Sequence, residues 1–229
     1  MFQGYLPMIL DGLRVTLSIA FVSLCIATVF GMLGASAKLS SSPVLRHTAG
    51  AYTTVIRALP DLLLMLIVFY GGQILLNRFT QAQGLGYIDI DAFAAGTVTL
   101  GFVFGAYLTE TFRGAMLAIP RGQMEAGHAM GLSRLQVMRD IVIPQMVRHA
   151  IPGFTNNWLV LLKATALISI IGLDDMVHRA SLASAATREP FTFYALIGLI
   201  YLAVTTVSIV TLGALNRRMS RGIRAEAAR

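Results

Sequence analysis

Glu125-Ala126-Gly127-His128-Ala129-Met130-Gly131-Leu132-Ser133, continuing through Leu135, Met138 and Ile141 to Pro144, is the most polar long stretch of a very apolar chain. Its pattern predicts two short helices joined by a tight turn. Met124, Ala126, Ala129 and Met130 give the first helix an apolar side. Gly131 is placed to end it, because helices commonly close on a residue with positive φ, which glycine adopts without strain. Ser133 followed by Gln136 is a capping-box pattern for a second start. Leu135, Met138 and Val142 then repeat at helical spacing. Pro144, which has no N–H, marks where the polar piece gives way to an apolar segment. A polar elbow over 121–144, set between membrane segments, is a place where a membrane protein can be driven from outside.

The rest of the chain makes the membrane reading firm. Of 229 residues, 56% are hydrophobic and 13% charged, and mean hydropathy is +0.71. An average soluble domain carries about a quarter charged residues. No polar segment is long enough to build a core of its own, and there is no internal repeat. Five apolar runs suffice to cross a bilayer core, which takes about 20 helical residues: 15–37, 54–76, 92–109, 149–173 and 191–215. The expected fold is therefore an all-α polytopic membrane protein, a single transmembrane domain over 1–229. Ala35-Ser36-Ala37 resembles a signal-peptide cleavage site, but the first run lacks a clear basic start and is longer than a typical signal core. It reads as a retained span. Cys25, the single cysteine, is expected to pack as a small apolar residue within that span. Thr97, Gly101, Gly105 and Thr109 recur every fourth residue in the third span, a small-residue face that lets two membrane helices approach closely.

Basic residues set the orientation. Twelve lysines and arginines fall in the 38–53 loop, the 110–148 loop and the C-terminal tail, against four in the alternate segments. Cytoplasmic loops carry the excess, so the expectation is an external N-terminus, a cytoplasmic C-terminus and a cytoplasmic elbow.

Catalysis finds little support. A phosphate-binding P-loop needs a lysine after glycine, and the two lysines, Lys38 and Lys163, follow Ala37 and Leu162. The four histidines are scattered, with no pair on one helical face to ligate a metal. What remains is a polar route through the bilayer, because ionisable groups inside spans are costly and face a cavity or a partner. Asp61, just after Pro60, is a candidate to receive a cationic group; the competing reading pairs it with Arg57 four residues back. Lys163 is a candidate for a substrate carboxylate, with snorkelling or a structural ion pair as the alternative. Asn157 and Thr165 share its span, and Tyr70 and Gln73 add hydrogen-bonding capacity to the second.

The elbow also resembles a known pattern. Glu125-Ala126-Gly127, three residues, Gly131, nine residues, then Ile141-Val142-Ile143-Pro144 is similar to the EAA motif of ABC-importer permeases, with Gly127 replacing an alanine and Ile143 a leucine. Arg57-Ala58-Leu59-Pro60-Asp61, Phe69-Tyr70-Gly71, Glu110-Thr111-Phe112-Arg113-Gly114, Asn156-Asn157-Trp158 and Leu162-Lys163-Ala164-Thr165-Ala166-Leu167 extend the resemblance to the polar amino-acid uptake family. Within it the chain is most similar to Q-type permeases of histidine/lysine/arginine/ornithine systems and to opine permeases. Many of those proteins have an acidic residue where Ala164 stands, which leaves Asp61 to carry more of the cation-binding role here. The resemblance implies a type I ABC-importer permease fold in a bacterial inner membrane. It implies a second permease subunit, identical or paralogous, two cytoplasmic ATPases that bind ATP and magnesium, and a periplasmic binding protein. No cofactor is expected in this chain. Glu125, Ala126, Gly127, Gly131, Ile141 and Pro144 would form the coupling helix that docks on the ATPase. A passive channel or an ion-coupled transporter is the alternative, and it leaves the elbow without a purpose.

Overall fold

The computed structural model describes residues 4–219. Eight helices follow one another: α1 (Leu6–Leu39), α2 (Pro43–Ala58), α3 (Asp61–Ala82), α4 (Ala92–Leu117), α5 (Arg121–Ala129), α6 (Arg134–Ile171), α7 (Met176–Thr187) and α8 (Pro190–Met219). No strand occurs among the described residues. Five helices, α1, α3, α4, α6 and α8, are long and apolar enough to cross a membrane. The tail arginines 221, 224 and 229 lie outside the described residues.

Helix starts follow local chemistry. Pro43 opens α2 and Pro190 opens α8, where a missing N–H costs nothing. Asp91 caps α4 by accepting from Ala94 N at 2.8 Å, and Asp175 caps α7 by accepting from His178 N at 2.9 Å. Such caps occupy donors that the first turn leaves unpaired.

The α1–α4 pair is the centre of the molecule. Phe104, Leu100, Val103, Ala106 and Leu108 of α4 are fully enclosed. The glycines of the small-residue face explain the close approach. A Cβ on Gly105 would stand 2.6 Å from Phe30 Cβ and 2.9 Å from the Tyr52 hydroxyl, and one on Gly101 would run into the Ile26 side chain. Gly31 and Gly34 on α1 answer them, the first 2.7 Å from Leu108 Cβ and the second against Thr109. α6 packs on the other side of α4, where Gly153 meets Thr111. By contrast only 6% of the α8 span is buried.

The helix bounds differ from those read in the sequence in two places that matter. The run 54–76 is not one span: the chain is extended at Leu59 and Pro60 (ψ 145° and 134°), so α2 ends before the break and the crossing helix starts at Asp61. The proline removes one donor and biases Leu59 away from helical geometry. The run 149–173 begins inside a 38-residue helix that starts at Arg134 and ends at Ile171. Cys25, expected to be packed, is exposed on α1.

Candidate functional site: the elbow and the polar groups of the spans

The elbow is α5, a turn, and the first turns of α6. α5 closes with both bonds of a Schellman motif: Leu132 N donates to Gly127 O at 3.1 Å and Gly131 N to His128 O at 2.9 Å, with Gly131 at φ 80°. The capping box is present in both directions, Ser133 N donating to Gln136 Oε1 at 2.8 Å and Gln136 N to Ser133 Oγ at 3.4 Å. The second arm is not a separate short helix, however. Residues Val137–Val142 form a π-helical segment and the helix runs straight on through Pro144. A widened turn just before a proline accommodates its ring and its missing donor.

Gly127 is the one buried residue of α5. A Cβ there would lie 2.7 Å from Ile141 Cδ1 and 3.0 Å from Val137 Cγ2. Two positions of the motif thus touch each other and close the angle between the arms. Outside this contact the elbow is bare. Met130 is 82% exposed and Leu135 77%, Met138 is also exposed, and Glu125 and Ala126 are exposed beside them. Glu125 makes no hydrogen bond or ion pair among the described residues. Large apolar side chains presented on a polar, well-capped scaffold are what a docking surface requires.

The polar candidates within the spans are dispersed. Asp61 begins α3, half-buried and without a hydrogen bond or ion pair among the described residues. The Asp61–Arg57 pair does not form: the break at Leu59–Pro60 takes them off a common helix, and the Arg57 guanidinium lies instead over the Tyr107 ring, 5.4 Å from its centre. Tyr70 is exposed in a π-helical segment, Ile67–Gly71, edge-on to Phe69. Lys163 is exposed and unpaired among the described residues, on the same side of α6 as exposed Asn156. Asn157 points elsewhere, donating to Thr111 Oγ1 and to Gly153 O, both at 2.9 Å, so its amide ties α6 to α4. Thr165 is fully buried, donating to Leu162 O at 2.7 Å with the Tyr201 hydroxyl at 3.3 Å.

Gln73 does not line a route either. Its amide accepts from Ile90 N at 2.7 Å and donates to Ile88 O at 2.6 Å, while Asn77 accepts from Ile88 N at 2.8 Å and donates to Ile88 O at 2.9 Å. Two side-chain amides one helical turn apart pin the 83–91 loop as a neighbouring strand would. The sequence signal was that four-residue spacing of amides on one face of α3. Two further polar knots escaped sequence reading because their members are far apart in the chain. Lys38, at the end of α1, hydrogen-bonds Glu110 of α4 and, at 2.6 Å, Thr53 of α2. Arg179 of α7 reaches Asp11 at 2.5 Å and Met8 O at 2.9 Å, and binds Asp174 through two nitrogens at 3.0 and 2.9 Å. The Arg179 hydrogen bonds hold the Asp174 carboxyl below the usual range. Neighbouring Asp175 is buried, which pushes it up to about 6.

Residues 27–221 match the family model described as binding-protein-dependent transport system inner membrane component. The chain is 50% identical over 224 residues to the histidine/lysine/arginine/ornithine transport system permease protein HisQ of Escherichia coli (strain K12), covering 98% of each. It is 40% identical over 215 residues to the octopine transport system permease protein OccQ of Rhizobium radiobacter, covering 93% of this chain and 91% of that one. Among solved structures, a crystal structure of an amino acid ABC transporter with histidines superposes with a TM-score of 0.80 at 30% identity, covering 93% of this chain and 95% of that one. The MetNI methionine ABC transporter in an inward-facing form shares the fold, with a TM-score of 0.74 at 19% identity, covering 96% and 100%. With a family match over most of its length, full-length similarity to Q-type permeases, five membrane helices and a capped elbow between two of them, this chain belongs to the family of inner membrane components of binding-protein-dependent transport systems, the permease subunits of ABC importers.

Proposed function

We propose that this chain is the permease subunit of an ATP-driven importer for basic polar amino acids, such as histidine, arginine, lysine and ornithine, or for related opines. The observation that carries this reading is the 50% identity to HisQ over 98% of both chains, supported by similarity to an octopine permease. A periplasmic binding protein delivers the cargo. A second permease, identical or paralogous, completes the pathway, and two cytoplasmic ATPases hold ATP and magnesium. The whole chain works as one permease domain, with its N-terminus outside and its C-terminus and elbow in the cytoplasm, as the basic-residue bias favours.

The elbow is the coupling helix. Glu125, Ala126, Met130 and Leu135 meet the ATPase, while Gly127, Gly131, Ile141 and Pro144 set the angle at which they are presented. Asp61 and Lys163, each without a partner among the described residues, are the charges free to meet a cationic side chain and a carboxylate. Tyr70 is exposed near that route. Asn157 and Thr165 serve it indirectly, by holding α6 in place, and Gly101 and Gly105 keep α1 against α4. The deciding experiment is radiolabelled uptake by the reconstituted complex, comparing arginine, histidine, lysine, ornithine and opines with neutral amino acids. Preference for neutral cargo would overturn the substrate class. Labelling of a Ser181→Cys variant in a Cys25→Ser background tests orientation: reaction in intact spheroplasts is expected, and reaction only after lysis would reverse it.

A further inference from the structure

A polar cavity of about 490 Å³ opens where α1 ends, α2 ends and α4 passes. Lys38, Thr53, Thr54, Arg57, Tyr107 and Glu110 line it. Its charges do not balance. Glu110 is shared by Lys38 and by Arg113 at 3.6 Å. Arg57 has no carboxylate within 4.0 Å and no hydrogen bond among the described residues; only the Tyr107 ring faces it. The exposed Thr54 hydroxyl is likewise unengaged among the described residues. A cation left unpaired in a membrane protein calls for an anion.

Depth and the shape of α2 say which anion. Lys38 stands in the last turn of α1, so the cavity lies at a membrane boundary rather than mid-bilayer. α2 buries Ala49, Thr53 and Ile56. Arg46 and Arg57, eleven residues apart, fall about 20° apart around the helix and share one edge. Val44 and Val55 share another by the same spacing and are both more than half exposed. The valine edge lies about 160° round the helix from the arginine edge, an opposition of apolar and basic sides that suits the lipid interface, and basic pockets between membrane helices bind anionic lipid headgroups. A free amino acid would carry a cation of its own into a site already rich in cations.

We propose that this cavity binds the headgroup phosphate of an anionic phospholipid, taken by Arg57, Thr54 and the remaining donor of Lys38, with the acyl chains running into the adjoining bilayer. The inference is independent of which cargo the importer carries. The test is native mass spectrometry of the complete transporter in detergent, supplied with phosphatidylglycerol or phosphatidylcholine. Wild type is expected to retain phosphatidylglycerol selectively. Arg57→Gln should lower its retention about fivefold, and Arg57→Lys should largely preserve it. Thr54→Val, a change at an exposed position that spares the fold, should lower it about threefold. Equal retention of the two lipids, or unchanged retention in both Arg57→Gln and Thr54→Val, overturns the proposal. So does displacement of the lipid by inorganic phosphate or by arginine, which would make this a site for a free anion or for cargo.

Discussion

Leu135→Ala tests the elbow most directly. Leu135 is 77% exposed on the second arm, so in the isolated permease it contributes little to the core. Truncating it should leave permease stability within about 0.5 kcal/mol, as for other surface changes. Docked on an ATPase, the same side chain would be covered. The substitution removes three carbons, worth about 0.8 kcal/mol each when buried, or about 2.4 kcal/mol. Scaled by the three-quarters of the side chain now exposed, the loss is about 1.8 kcal/mol, roughly a 20-fold weaker complex. The assay is titration of the ATPase onto the purified permease pair, with thermal unfolding of the permease alone measured in parallel. Leu199→Ala provides the control, because Leu199 is comparably exposed but sits on α8, away from the elbow. Unchanged ATPase affinity in Leu135→Ala, or an equal loss in Leu199→Ala, would refute docking through this surface.

Three other substitutions probe the fold and the route. Gly105→Ala puts a Cβ 2.6 Å from Phe30 Cβ, an atom that cannot swing aside, and should lower thermal stability by about 1–3 kcal/mol; Gly114→Ala on the same helix meets nothing within 4 Å and should be neutral or stabilising by up to about 1 kcal/mol. Asp175 has a folded pKa of about 6, raised by burial from 3.8, so its charge costs stability above pH 6, and the cost fades as pH falls toward the unfolded value, at most about 3 kcal/mol. Thermal scans should therefore show wild type gaining stability from about pH 7.5 to pH 5, and Asp175→Asn, which keeps an acceptor for His178 N, should remove that gain by raising stability at the higher pH. Asp61→Asn should impair uptake of cationic substrates more than neutral ones in reconstituted vesicles; an equal loss for both would leave Asp61 a purely structural role.

The five crossings were legible because apolar runs of that length have few other uses. The break before Asp61 was less so: 54–58 and 62–76 fall within one run by hydropathy despite Arg57, and only Pro60 hinted that the helix stops. The glycine spacing on α4 announced a close contact, but its partners on α1, Gly31 and Gly34, follow no four-residue period and were passed over. Within the elbow both caps were readable, since each depends on residues three or four apart. The contact between Gly127 and Ile141 was not, because it needs the angle between the arms.

Polar residues in spans were the hardest to read. Asn157 and Lys163 looked equivalent in the sequence, yet six residues along a helix turn them to different sides. One is spent joining α6 to α4; the other is left free. Gln73 was misread because its two side-chain partners, Ile88 O and Ile90 N, lie on a loop that hydropathy alone treats as featureless. Lys38 and Glu110 are 72 residues apart, beyond any local pattern.

The continuity of α6 changes how the elbow can act. If the second arm ended at Pro144, motion at the docking surface would be absorbed by a hinge there. Instead the helix that begins at Arg134 runs unbroken to Ile171, a length of about 57 Å at 1.5 Å per residue. Leu135 and Lys163 are therefore parts of one continuous helix, with an interior proline, Pro152, between them. Its departures from α-geometry lie near the two ends, the π segment Val137–Val142 and the 3-10 segment Thr165–Ile171. A force on the elbow would rotate the intervening length as a body against α4. The Asn157–Thr111 bond and the Gly153–Thr111 contact lie along that interface, where a rocking motion must slide or pivot. Closing of the ATPases would in this way reach Lys163 along one helix, with Pro152 the place in the intervening length where bending would absorb part of the motion, as alternating access between packed bundles requires.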